Sequence, residues 1–194
     1  PYGANPFKNP NKIALQKYNL KPHRYYLVIS RLQPDNNIEM IIRGYKKSNT
    51  KYPLLLVGNI NNHFANYIKN EYCSNNVRFL GGIYDQNILN NLRFYSAAYF
   101  HGHSAGGTNP SLLEAMAAGA FICAHNNKFN KEVLGEEAPF FENTDDITNF
   151  INSNSENHLR MKHQQKNIEK IISLYSTSNI INQYFDFFNQ IKKK

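Results

Sequence analysis

The sequence predicts an α/β domain built on a doubly wound, Rossmann-like parallel sheet. Short apolar runs without polar alternation occur at residues 25–29, 54–57, 77–80, 97–100, 121–124 and 139–141. Buried parallel strands look like this because both of their faces are covered. Between them apolar residues recur every three or four positions, the period of a helix with one buried face. Strand and helix in alternation give a parallel sheet with helices on both sides. The 194 residues, 41% of them hydrophobic, suit one such domain with an appendage.

Each element has its own signal. The first strand, 25–29, is followed by a helix over 37–47 through Ile38, Ile41, Ile42 and Tyr45. Gly58 ends the second strand, and a helix over 63–72 runs through Phe64, Tyr67 and Ile68. Gly81 and Gly82 end the third, and Asp85 caps a helix through Ile88, Leu89 and Leu92. After the fourth strand comes a glycine-bearing loop, 102–107, and then a helix over 110–118. Asn109 is a good N-cap, Pro110 suits the first helical position, and Gly119 is a C-terminal stop. The fifth strand leads through a short helix, 130–134, to a short sixth strand. Three helices close the chain, over 145–152, 156–174 and 178–191. The last carries Ile180, Ile181, Tyr184, Phe185, Phe187, Phe188 and Ile191, too large an apolar face for a solvated tail. It calls for a partner, either this chain's own core or a domain absent from it.

Ligands of such sheets bind beyond the carboxyl ends of the strands. Ser30, Arg31, residues 81–84 and the loop 101–109 all fall there. The free N–H groups at the start of the 110–118 helix make an anion site. Arg31, at the end of a strand and facing that site, suits a phosphate better than a plain surface charge. Glu114 sits among Leu112, Leu113, Ala115, Met116, Ala117 and Ala118, so the helix reads as buried nearly all round. A buried carboxylate must be paired. Its partner is either a ligand or a basic side chain such as Arg31.

Other chemistries find less support. No P-loop is present, and Gly102, Gly106 and Gly107 do not form the dinucleotide fingerprint. His101 and His103 have no evident third ligand, so no metal and no cofactor are expected. Cys73 and Cys123 are far apart and match no metal spacing, which suits reduced thiols in a cytoplasmic protein. No apolar stretch reaches the length of a membrane span. The opening residues PYGANP resemble a cut inside a longer protein rather than a signal peptide. The net charge of +8, from 22 Lys and Arg against 14 Asp and Glu, favours anionic partners. It is scattered, dense only at Lys46 and Lys47 and in the tail 192–194, as on a solvated surface.

Three motifs together resemble the group 1 glycosyltransferases. SRLQPDNN over 30–37 is similar to their first-strand motif, FLGGIYD over 79–85 to their third-strand turn, and GTNPSLLEAMAAG over 107–119 to their donor-site helix. PYGA over 1–4 resembles the end of their N-terminal domain. The likeness spans about residues 1–190 in the family's order, and HGHSAGGTNPS over 101–111 most resembles the bacterial rhamnosyltransferase branch.

The resemblance implies one half of a GT-B fold. Residues 1–22 would end the N-terminal domain and linker, 23–175 would bind the nucleotide-sugar, and 176–194 would cross back to the missing N-terminal domain. The implied activity is retaining, metal-independent transfer of a sugar from a dTDP-, UDP- or GDP-linked donor. The acceptor would be a glycan, free or lipid-linked, in surface polysaccharide synthesis. Arg31 would bind the diphosphate, the N–H groups of Gly107, Thr108 and Asn109 its oxygens, Glu114 the ribose, and the backbone at Ile83 the base. Acceptor and catalytic groups would lie partly in the missing domain, leaving this piece inactive alone. Two positions depart from the family: Asn36 stands where it has a lysine, and Gly106 where it has an earlier glutamate. A smaller, less polar sugar such as a 6-deoxyhexose suits the second change. The expected location is cytoplasmic, with weak contact between the basic tail and the inner membrane surface. Two rival readings are a sugar-nucleotide epimerase using His101 or His103 as acid–base groups, and a nucleic-acid module motivated by the charge. The latter lacks a motif or an aromatic-basic stripe, so nucleic acid is not an expected partner.

Overall fold

The computed structural model describes residues 2–105, 107–153 and 157–192. Six strands form one sheet: β1 (Tyr26–Ile29), β2 (Leu54–Val57), β3 (Val77–Gly81), β4 (Ala98–His101), β5 (Ile122–His125) and β6 (Phe140–Phe141). Their spatial order is β3-β2-β1-β4-β5-β6, and every neighbouring pair is parallel. All carboxyl ends therefore share one edge. The winding reverses between β1 and β4, which opens a crevice at that edge.

The helices are α1 (Ile38–Lys47), α2 (His63–Tyr72), α3 (Gln86–Phe94), α4 (Pro110–Ala117), α5 (Lys128–Leu134), α6 (Thr144–Ser153), α7 (Asn157–Ser173) and α8 (Thr177–Lys192). Alternate strand residues feed two cores. Tyr26, Val28, Ala98 and Phe100 pack with Ile38, Ile41, Ile42, Ile68 and Ile147 from α1, α2 and α6. Tyr25, Leu27, Leu55 and Tyr99 pack with Leu92, Leu113, Met116 and Ile171 from α3, α4 and α7. The caps act as their side chains suggest. Asp85 accepts from the N–H groups of Asn87 and Ile88, and Asn109 accepts from that of Ser111. Gly119 holds φ +68°, which a side chain there would strain.

Two sequence expectations change, and two short helical segments are added to them. Two 3-10 segments, Lys12–Tyr18 and Pro34–Asn36, lie in stretches that carry no clear period. Asn127 starts α5 two residues before 130, by accepting from the N–H of Asn130. Tyr67 does not face the core, where Ala65, Ile68 and Tyr72 sit instead. It lies at the surface, and its hydroxyl donates to Glu39.

Of the apolar residues on α8, Ile180 is buried, while Ile181, Phe185, Phe187, Phe188 and Ile191 are all more than half exposed. At the helix start the N–H of Ala4 donates to the carbonyl of Tyr175, so the segment before the sheet lies against the α7–α8 junction. No described helix is long and apolar enough to cross a membrane.

Candidate functional site

A cleft of about 290 Å3 opens at the carboxyl ends of β1 and β4. Ser30 and Arg31 line it from the first strand, His101, Gly102 and His103 from the fourth, and Asn109 and Ser111 from the start of α4. The helix start is tied to the crevice. The hydroxyls of Tyr99 and Ser111 lie 2.9 Å apart, and each reaches the carbonyl of Ile29, at 3.1 and 3.2 Å. The first turn of α4 is thus held with its positive dipole end beside Arg31, but its N–H groups are not free as the sequence suggests: Pro110 has none, and Asn109 accepts from those of Ser111, Leu112 and Leu113.

The loop after β4 is fixed from two sides. Asn37 donates to the carbonyl of Gly102, and the N–H and hydroxyl of Ser104 donate to the carbonyl of Asp35. From the other side Asn127 and Asn130 both donate to the carbonyl of His103. A Cβ at Gly102 would lie 2.0 Å from the carbonyl oxygen of Asn36, so only glycine allows this approach. Asn36 itself is buried. Its Nδ2 donates to the carbonyl of Arg31, and its Oδ1 lies 2.8 Å from Nδ1 of His103.

Two buried polar atoms in cleft-lining residues have no protein partner, Oγ of Ser30 and Nε2 of His101. Leaving such an atom unsatisfied costs about 1–3 kcal/mol. Burial, then the nearby His103 and Arg93, pushes the His101 pKa down to about 3. An acid–base role near neutral pH does not suit a ring held in that state. The unfolded chain takes up this proton near pH 6.5. The pKa is lowered on folding, so its contribution is complete above that pH and is lost as pH falls towards 3. Stability should drop by about 2 kcal/mol between pH 7 and pH 5 from this ring alone. His23, His125 and His163, whose pKa values burial also lowers, act in the same sense. Urea denaturation at the two pH values checks this. His101→Leu should flatten the dependence, and equal wild-type stability at both would contradict it.

Glu114 lies outside the cleft lining, one turn into α4. It is less buried than its apolar neighbours suggest, with 37% of its side chain exposed, because it shares a helix face with half-buried Ser111. Its partner within the protein is not Arg31. Nη2 of Arg93, on α3, lies 2.6 Å from Oε2 of Glu114. Arg93 is 1% exposed at its side chain, and its Nη1 donates to Asn90 while its Nε has no partner. The only local signal for this arginine is its place four residues after Leu89, on the inner face of α3.

Of the residues expected to bind a ligand, the cleft brings together Arg31, Asn36 and Asn109. Asn36 acts there as a brace, bridging Arg31 and His103. Gly107 is exposed and Thr108 half-buried, just before the helix. Ile83 is half-buried in the loop after β3, packed on the α3–α4 side of the sheet. Gly106 lies outside the described residues. Among those residues no three His, Cys, Asp or Glu side chains gather as a metal site would require.

This architecture has close counterparts. A glycosyltransferase from Rickettsia africae superimposes with a TM-score of 0.84 at 17% identity, over 100% of this chain and 56% of that one. Anabaena HepE, solved with UDP-glucose, gives 0.80 at 17% identity, over 92% and 52%. The C-terminal domain of a group 1 glycosyl transferase, LpcC, from Francisella tularensis gives 0.69 at 18% identity, over 89% and 95%. The chain spans about half the length of the first two. A search of curated proteins found no match. At these identities the likeness establishes the Rossmann-like fold of GT-B glycosyltransferases. The family itself rests on the sequence: the model of glycosyl transferases group 1 matches residues 11–171, most of the sheet domain, and the chain belongs to that family.

Proposed function

We propose that this chain is the donor-binding domain of a retaining, metal-independent glycosyltransferase that uses a nucleotide-diphosphate sugar. The observation that carries this reading is the cleft at the switch point, where Arg31 and the tethered start of α4 converge on one anion-sized space. Arg31 binds the diphosphate. The N–H groups of Gly107, Thr108 and Asn109 hold its oxygens, and Asn36 keeps the Arg31 end of the cleft in shape. Glu114 accepts from the ribose hydroxyls through the oxygen that Arg93 does not hold, and the backbone at Ile83 meets the base. Arg31 and the helix dipole offset the charge that develops on the leaving diphosphate. HepE, a relative in fold, is solved in complex with UDP-glucose.

Within that reading the donor sugar is a 6-deoxyhexose such as rhamnose, supported by Gly106 in place of a glutamate that would meet sugar hydroxyls. Residues 1–22 and 176–194 connect to an N-terminal domain that supplies the acceptor site. Its surface covers the exposed apolar side of α8. The acceptor is a growing surface glycan, free or lipid-linked, met at the inner face of the membrane.

Calorimetric titration with dTDP, UDP, GDP and ADP tests the reading. Micromolar to low-millimolar binding of one nucleotide is expected and identifies the base. Indifference to all four, alone and in a protein containing both domains, would refute it.

A further inference from the structure

Asn36 fixes the protonation of its neighbour. Its Nδ2 lies 2.8 Å from the carbonyl of Arg31, a group that only accepts, so the amide can face only one way. Oδ1 then points at Nδ1 of His103, 2.8 Å off, and it too only accepts. Nδ1 therefore carries hydrogen. In the neutral ring this leaves a lone pair on Nε2, which opposes the oxygens of a bound phosphate because both are acceptors. One proton on Nε2 turns the opposition into a charge-assisted hydrogen bond.

The charges around the cleft make that proton useful. The diphosphate of a nucleotide-sugar carries two negative charges, and Arg31 supplies one positive charge. Asn36 adds none, and His101 is held neutral. Around the His103 ring stand His101 on β4, with ring centroids 6.1 Å apart, and Arg31 across the same cleft. Asp35 stands in the turn braced by Ser104, and His125 on β5 is linked through Asn127. A dianion bound between Arg31 and the ring favours the charged form of the ring.

We propose that His103 is a proton-linked ligand of the donor diphosphate, taking one proton from solvent onto Nε2 as the anion binds. No covalent bond changes. The inference rests on the donor-site reading above and adds a second, conditional cation to it.

The test is calorimetry at pH 7.5 in two buffers of different ionisation enthalpy, with UDP-glucose, dTDP-glucose and GDP-mannose as probes. Unlike free diphosphates, these have no phosphate group that titrates near neutrality, so proton uptake reports on the protein. The tightest binder should take up as much as one proton, read from the dependence of the binding enthalpy on the buffer. His103→Gln should abolish the uptake and weaken binding about tenfold near pH 6.5, with the gap closing as pH rises. His103→Lys, charged throughout, should bind without uptake. Arg31→Ala should weaken binding and leave the uptake in place. Binding without uptake in the wild type, or uptake that persists in His103→Gln, would overturn the role of His103 and leave the donor site standing. Failure of all three probes to bind would overturn the donor-site reading and this inference with it.

Discussion

Glu114→Ala should lower the melting temperature by about 10 °C. Arg93 is fully enclosed, and its charge is compensated by the carboxylate 2.6 Å away on the next helix. Removing one partner of such a pair leaves an uncompensated buried charge and costs about 3 kcal/mol, the low end of the range because Glu114 is partly solvated. For a domain of this size, each kcal/mol moves the midpoint by about 2–4 °C. The same principle predicts a rescue. Adding Arg93→Met removes the stranded charge with little change of volume, so the double variant should recover much of the loss. Thermal denaturation of the two single variants and the double variant decides the matter. A Glu114→Ala midpoint within about 2 °C of wild type would show that the pair contributes little. The consequence for binding studies is practical. Weak nucleotide binding by Glu114→Ala reports on ribose contact only if the protein is shown to be folded at the temperature used.

Arg31→Ala should behave in the opposite way. The side chain is exposed and, among the described residues, makes no ion pair. Its loss should change stability by no more than about 0.5 kcal/mol. Affinity for a diphosphate should fall about tenfold or more, since a charge-assisted contact is worth about 1.5–3 kcal/mol. Nucleosides without phosphate should bind the variant as they bind wild type. Arg31→Lys should recover only part of the loss, because an ammonium cannot bridge two phosphate oxygens as a planar guanidinium does. Titration of each variant with a nucleoside and its diphosphate measures all of this. Equal dissociation constants for the diphosphate would remove Arg31 from the site.

The parts of the molecule legible in the sequence are those whose causes are local. The α4 signal is complete within eleven residues, from the cap at Asn109 through Pro110 to the left-handed Gly119, and the helix forms there. The strands are equally plain, because a strand covered on both faces needs apolar residues throughout. Partnerships across the fold are a different matter. Arg93 reads as a routine basic residue in the last turn of α3, since its burial depends on a carboxylate 21 positions later. Asn36 reads as a missing positive charge, whereas its use lies in an imidazole 67 positions away. Tyr67 misleads for a related reason, because its ring looks apolar while its hydroxyl finds Glu39 at the surface.

The strand order has a consequence for the chain's birth. β1 lies at the centre of the sheet, with β2 on one side and β4 on the other, and Tyr26 pairs with both Leu54 and Ala98. During synthesis β1 can dock β2, and β2 in turn β3, early, but the other edge of β1 stays open until β4 has emerged. At typical elongation rates of about 5–20 residues per second, that interval is roughly 4–14 s. For that time an apolar strand with unpaired backbone groups stays uncovered, a template for unwanted pairing with other chains. Truncation before residue 98 should therefore yield aggregates rather than a smaller folded unit, and the nascent chain is a natural client for a chaperone at that stage.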